Sequence, residues 1–208
     1  MLRHARLELV KPALVAAALL CLAPAAWAQE GLSAAFAASY AAEAKANYDD
    51  AIGALKTGYA NLYEQNLRLG WLYFLAKKYT ASATYYQKAI DQRPYAIEPK
   101  LGLIKPLNAL GQVERMLGIY TAILQVDPQN TQANYWVGVI YLNRKQYDKA
   151  ARYFEKVLNL YPFDYDTNLS LAYTYLNQGK KTEARALYNK VLLIRPGDTQ
   201  ALAGLKRL

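Results

Sequence analysis

Four prolines, Pro94, Pro128, Pro162 and Pro196, recur at one constant step of 34, and this step constrains the chain more than any other feature. Other columns keep it. Leu69, Leu103, Val137 and Leu171 align, as do Tyr73, Leu107, Tyr141 and Tyr175, and Tyr86, Tyr120, Phe154 and Tyr188. Gly70 and Gly138 align, with Ala172 as the small residue of the fourth copy. Within the period 131–164, Val137, Ile140 and Tyr141 recur at helical spacing, and Ala150, Phe154 and Val157 do so further on. One period therefore holds a helix, a short turn and a second helix, closed by a proline that cannot continue it. A lone helix pair leaves apolar faces uncovered, whereas stacked copies cover one another. The expected fold is all-α, a solenoid of antiparallel helix pairs.

The pattern resembles the tetratricopeptide repeat family, over residues 63–208. In the first full copy the likeness rests on Leu69, Gly70, Tyr73, Tyr79, Tyr86, Ala89 and Pro94. In the third it rests on Gly138, Tyr141, Tyr147, Ala150, Phe154 and Pro162. The resemblance implies a right-handed superhelix with repeats at 63–96, 97–130, 131–164 and 165–198. The first helix of the 63–96 repeat is expected over 63–76 and the second over 79–92. The repeat at 97–130 is atypical. Pro106 falls inside its first helix, where it removes a hydrogen bond to residue 102 and tends to kink the helix; drift in a tolerant scaffold and a functional bend are the two accounts. Ile104 also replaces the small residue of its column.

The flanks differ. Residues 29–62 read as a degenerate or capping repeat, with a helix near 33–45. Tyr48, Ala51 and Leu55 play the parts of Tyr147, Ala150 and Phe154, but the step from Tyr48 to Tyr79 falls short of the common one. At the other end Asp198 suits an N-cap for a covering helix at 199–208 carrying Leu202, Leu205 and Leu208.

Residues 1–28 are of another kind. Arg3, Arg6 and Lys11 precede a run of Ala, Leu and Val, and Ala26-Trp27-Ala28 before Gln29 has the small-x-small form of a cleavage site. This reads as a signal peptide cut between Ala28 and Gln29. An uncleaved anchor is the competing reading, and the apolar run is shorter than the ~20 residues a spanning helix needs. The expectation is an exported protein of bacterial type, periplasmic, with secreted or envelope-associated as the alternative. Cleavage would remove the single Cys (Cys21) and the single His (His4). Thiol, imidazole and disulfide chemistry would leave with them. The mature charge would be 22 − 15 = +7, from 25 − 3 basic and 16 − 1 acidic residues. That balance suits an acidic partner or surface, and no dense basic run argues for nucleic acid. No phosphate loop, nucleophile elbow or acid pair stands out, so the chain is expected to be neither an enzyme nor a cofactor or metal binder.

In tetratricopeptide repeat proteins the first helix of each repeat lines a concave groove. That implies candidate groove residues here: Leu67, Arg68, Trp71 and Phe74; Lys105 and Asn108; Tyr135, Trp136, Val139 and Asn143; Tyr173 and Asn177. Residues 67, 71 and 74 share a helix face, as do 135, 136, 139 and 143. The set is aromatic and apolar with polar tips, a composition that favours binding hot spots. The bland alternative is that some of these side chains pack on the next repeat. The family's carboxylate clamp does not carry over. Its Lys and Asn positions are Leu67 and Trp71, its middle Asn is Gly102, and its later basic positions are Gln132 and Trp136. The leading expectation is a scaffold holding a protein or peptide segment in the groove. The alternative is a carbohydrate-binding accessory of polysaccharide export or cell-wall assembly. Self-association through open repeat ends is a third.

Overall fold

The structure, a computed structural model, describes residues 30–208. The signal-peptide reading and its cut at Ala28 and Gln29 lie outside the described residues. Those residues form eleven helices and no strand. A helix over 30–43 (α1) is followed by α2 (Tyr48–Lys56), α3 (Tyr63–Leu75), α4 (Tyr79–Gln92) and α5 (Glu98–Ala109). Then come α6 (Val113–Val126), α7 (Thr131–Asn143), α8 (Tyr147–Leu160), α9 (Tyr165–Asn177), α10 (Lys181–Ile194) and α11 (Thr199–Lys206). From α2 onward each helix packs on its sequence neighbour, and α3 on α5, α7 on α9 and α9 on α11 pack as next-but-one neighbours. The odd helices thus form one layer and the even helices the other, the arrangement of a helix-pair solenoid.

The periodic columns are the mortar. Leu69, Leu103, Val137 and Leu171 are buried, and so are the rings of Tyr86, Tyr120, Phe154 and Tyr188. Full burial of such a side chain contributes about 1.5–3 kcal/mol. Small residues make room for the rings. A Cβ on Gly70 would lie 2.8 Å from the Tyr86 ring, and one on Gly138 would lie 2.6 Å from that of Phe154. Gly102 meets the other side of Tyr86 just as closely. Gly102 is therefore a seat for Tyr86, whatever relief it gives Pro106. α5 runs on through the buried Pro106, and the Leu110 N–H donates to the Pro106 carbonyl at 3.0 Å.

A polar column accompanies the apolar ones. Asn66, Lys100, Asn134 and Asn168 keep the step of the prolines, and all four are buried. The Asn134 amide donates to the carbonyls of Pro128 (3.0 Å) and Asn130 (2.9 Å), and Asn168 donates to those of Pro162 (3.0 Å) and Asp164 (2.7 Å). Lys100 sends its ammonium to the carbonyls of Pro94 and Ala96. In these three repeats the donor ties down the proline turn that admits its own helix. The helix starts carry their own column of caps: Asn130, Asp164 and Asp198 each accept from backbone N–H groups of the first turn. Ala96 stands at that place before α5, which starts without a side-chain cap.

Candidate functional site

The odd-numbered helices present one continuous face. Two cavities open on it. The larger, about 610 Å³, is lined by Phe36 and Tyr40 of α1, Leu67, Arg68 and Trp71 of α3, and Leu101 and Lys105 of α5. The smaller, about 310 Å³, is lined by Tyr135 and Trp136 of α7, Tyr161 after α8, and Asp166 and Thr167 of α9. Gln132 lines both, so the cavities meet at one side chain. At 8–10 Å between neighbouring helix axes, a face of five helices spans roughly 35 Å, the reach of about ten extended residues.

The sequence-predicted residues divide on this face. Leu67, Arg68, Trp71 and Lys105 come together in the larger cavity, and Tyr135 and Trp136 in the smaller. Phe74 lies beside Trp71, ring centroids 5.9 Å apart, and packs on Tyr79. Asn108 and Asn143 lie outside both cavities. Val139 is partly buried and packs against the core of Ala150, Phe154 and Leu171. Asn177 donates to the Tyr173 carbonyl of its own helix at 2.7 Å. Tyr173 is half exposed at the C-terminal end, with the Arg207 guanidinium 5.7 Å from its ring.

Arg68 is not the free polar tip expected of it. It is only 8% exposed, ion-paired with Glu43 of α1, and its guanidinium lies 3.8 Å from the Tyr40 ring centre. Glu43 also accepts the Trp71 indole N–H at 2.7 Å. One carboxylate thus neutralises a buried cation and satisfies an indole, and removing it would leave Arg68 buried without a counter-charge, at a cost of about 3–5 kcal/mol. Lys105 completes the wall, its ammonium 4.5 Å from the Trp71 ring centre. Glu43 and Tyr40 were not among the sequence candidates. Their unit breaks the common step, so the period that aligned the other helices did not place α1 on the groove.

The smaller cavity is differently charged. Asp164 caps α9 by accepting from the Thr167 N–H at 2.8 Å, and Asp166 is exposed. The Tyr135 ring stands edge-on to Trp136, centroids 5.3 Å apart. Burial raises the Tyr135 hydroxyl pKa; the Ser170 hydrogen bond opposes this, and the charges of Asp166 and Asp164 add to the rise. Trp136 itself is 41% exposed. The groove therefore offers aromatic faces, an amide and fixed charges. The described residues contain no Cys or His, and no group of three metal-capable side chains lies together among them. No helix among them is long and apolar enough to cross a membrane.

Comparison with known proteins agrees with this fold. Two profiles of the family described as Tetratricopeptide repeat match the chain, one over residues 36–97 and 109–165 and the other over 141–208. No curated protein matches the sequence. Among solved structures, a tetratricopeptide repeat protein from Parabacteroides merdae ATCC 43184 superposes with a TM-score of 0.73 at 20% identity, covering 85% of this chain and 71% of that one. MamA from Desulfovibrio magneticus RS-1, residues 41 to the end, gives 0.68 at 19% identity, covering 81% and 98%. YrrB, described as a repeat protein with an unusual peptide-binding site, gives 0.67 at 18% identity, covering 81% and 88%. At these identities the likeness is one of fold.

Proposed function

The chain belongs to the tetratricopeptide repeat family, and from that footing we propose that it is a non-enzymatic scaffold that holds an extended segment of a partner protein in the groove of α1, α3, α5, α7 and α9. The observation that carries this reading is the pair of cavities joined at Gln132, walled by Trp71 on one side and Trp136 on the other. Main-chain groups of an extended segment would be fixed by polar side chains, and its side chains would alternate into and out of the cavities. Leu67, Trp71, Lys105, Tyr135 and Trp136 form the contact surface in this proposal. Arg68 supports it from beneath. The peptide-binding site ascribed to YrrB adds support by analogy of fold.

Trp136 gives the cleaner test of the two tryptophans, because Trp71 also anchors α1 through Glu43. Displayed ten-residue peptides would be selected on the protein and the survivors titrated by calorimetry against wild type and Trp136→Ala. The expected outcome is unchanged helicity and a loss of about tenfold or more in affinity, as for a buried aromatic anchor. Equal affinities would move the contact off this face.

The proposal includes export. The basic start, apolar run and Ala26-Trp27-Ala28 support removal of residues 1–28. Intact mass of the protein recovered from the periplasmic fraction should correspond to a chain starting at Gln29. A chain recovered only from cytoplasm, starting at Met1, would overturn it.

A further inference from the structure

Many aromatic rings among the described residues already hold a cation of the protein's own. Lys105 lies on Trp71, Arg68 on Tyr40, and Arg195 lies 3.6 Å from the centre of Tyr165. Trp136 and Tyr161 are different. They are 41% and 58% exposed, and none of the lysine or arginine contacts to rings among the described residues falls on either. They share a cavity with Asp164, Asp166 and Thr167, and no basic side chain lines it. None of the ion pairs among the described residues involves either aspartate. Thr167 is fully buried, borders the same cavity, and its hydroxyl has no hydrogen-bond partner among the described residues. In a chain of net charge +9, this is a negative, aromatic recess with an unused hydroxyl.

Resting on the groove reading above, we infer that this recess binds a cationic side chain of the bound segment, arginine in preference to lysine. A guanidinium is planar and weakly hydrated, so it stacks on an indole or phenol while its edge donates to carboxylates. Asp166 is the free acceptor. Asp164 offers the oxygen not engaged by the Thr167 N–H, and the Thr167 hydroxyl can accept where the recess narrows. The cavity, about 310 Å³, suits one long side chain and excludes a helix. The sign of charge is the reverse of what a carboxylate-holding groove would show.

The test is a titration of the full chain, 15N-labelled, followed at the Trp136 indole N–H, which is assigned from Trp136→Phe. The probes are three ten-residue Gly/Ser peptides with one central arginine, citrulline or glutamate. Citrulline keeps the shape of arginine and removes its charge. The arginine peptide should move the Trp136 resonance saturably and bind at least about fivefold more tightly than citrulline, with the difference shrinking at high salt. Asp166→Asn, an exposed substitution outside the core, should erase most of that difference by weakening arginine far more than citrulline. Equal binding of arginine and citrulline, or tighter binding of glutamate, overturns the cation assignment and leaves the groove itself supported. Silence from all three overturns the assignment as well; the groove reading then stands or falls on the displayed-peptide selection.

Discussion

Lys100 puts an ammonium where the neighbouring repeats put an amide. Asn134 and Asn168 meet the same two kinds of carbonyl with an uncharged donor, whereas Lys100 is buried with its charge. Burial lowers its pKa from the ordinary 10.5. A depressed folded value means that its contribution is complete above 10.5 and is lost as pH falls through the folded value. Lys100→Asn should therefore match or exceed wild type at pH 8, and wild type should gain on it as pH approaches 10.5. Lys100→Met, which leaves the carbonyls of Pro94 and Ala96 without a donor, should cost about 1–3 kcal/mol. Urea denaturation of the three proteins at paired pH values checks both statements. This column was as periodic in the sequence as the prolines. Asn and Lys are nevertheless types expected at the surface, and only their shared register with buried neighbours marks them as interior. Arg68 misled in the opposite way. Helical spacing put it on the face that lines the larger cavity, but nothing local announced the carboxylate of Glu43 that removes it from solvent.

At the level of the helix pair, the turn is set by one residue in the left-handed region. Lys77, Gly111, Lys145 and Gly179, again in the register of the prolines, have φ of 58°, 67°, 58° and 77°. Glycine takes this conformation freely, and a residue with a Cβ does so at a cost of about 1–2 kcal/mol. Lys145 is exposed. Against the larger chain entropy of glycine in the unfolded state, Lys145→Gly should still gain about 0.5–1 kcal/mol, read as a raised urea midpoint with unchanged slope. A falling midpoint would show that the lysine makes a compensating contact. Helix positions were the most legible part of the sequence, since the apolar spacing and the closing prolines bracket them. α3 and α4 occupy 63–75 and 79–92, against an expected 63–76 and 79–92. Pro106 was expected inside the first helix of its repeat with a tendency to kink it, and α5 runs through it as one helix. A proline near the end of a helix forfeits one hydrogen bond, and its buried ring recovers part of that loss in packing.

Across the whole molecule, the core is unusual in being threaded with phenols. Burial raises the pKa of Tyr86, Tyr120 and Tyr188, and that of Tyr175, which also donates to Glu155. Tyr120 is pushed up to about 12. A raised folded value means that the stability is fully present below the unfolded value of 10.0 and is lost as pH rises through the folded one. For Tyr120 a shift of this size corresponds to about 3 kcal/mol. The phenols' share of the stability should thus be constant up to pH 10 and fall steeply above, and Tyr120→Phe should move the fall to higher pH. A profile unchanged by that substitution would mean that the ring reaches solvent before the repeats separate. The fold at this scale was written in the period. The site was legible only in part, because the period describes what each repeat shares and the groove depends on where they differ: Trp136 stands in the column of Gly102, Ser170 and Gly204.

Glu43 belongs to one helix pair and serves the next, where it holds Arg68 and Trp71. Transplanted alone, residues 63–96 would carry a buried cation with no counter-charge and an indole with no acceptor. The heritable module of this groove is consequently two repeats long. Shuffling single repeats among relatives would conserve the architecture while erasing what it recognises, and exchange in adjacent pairs would transmit both.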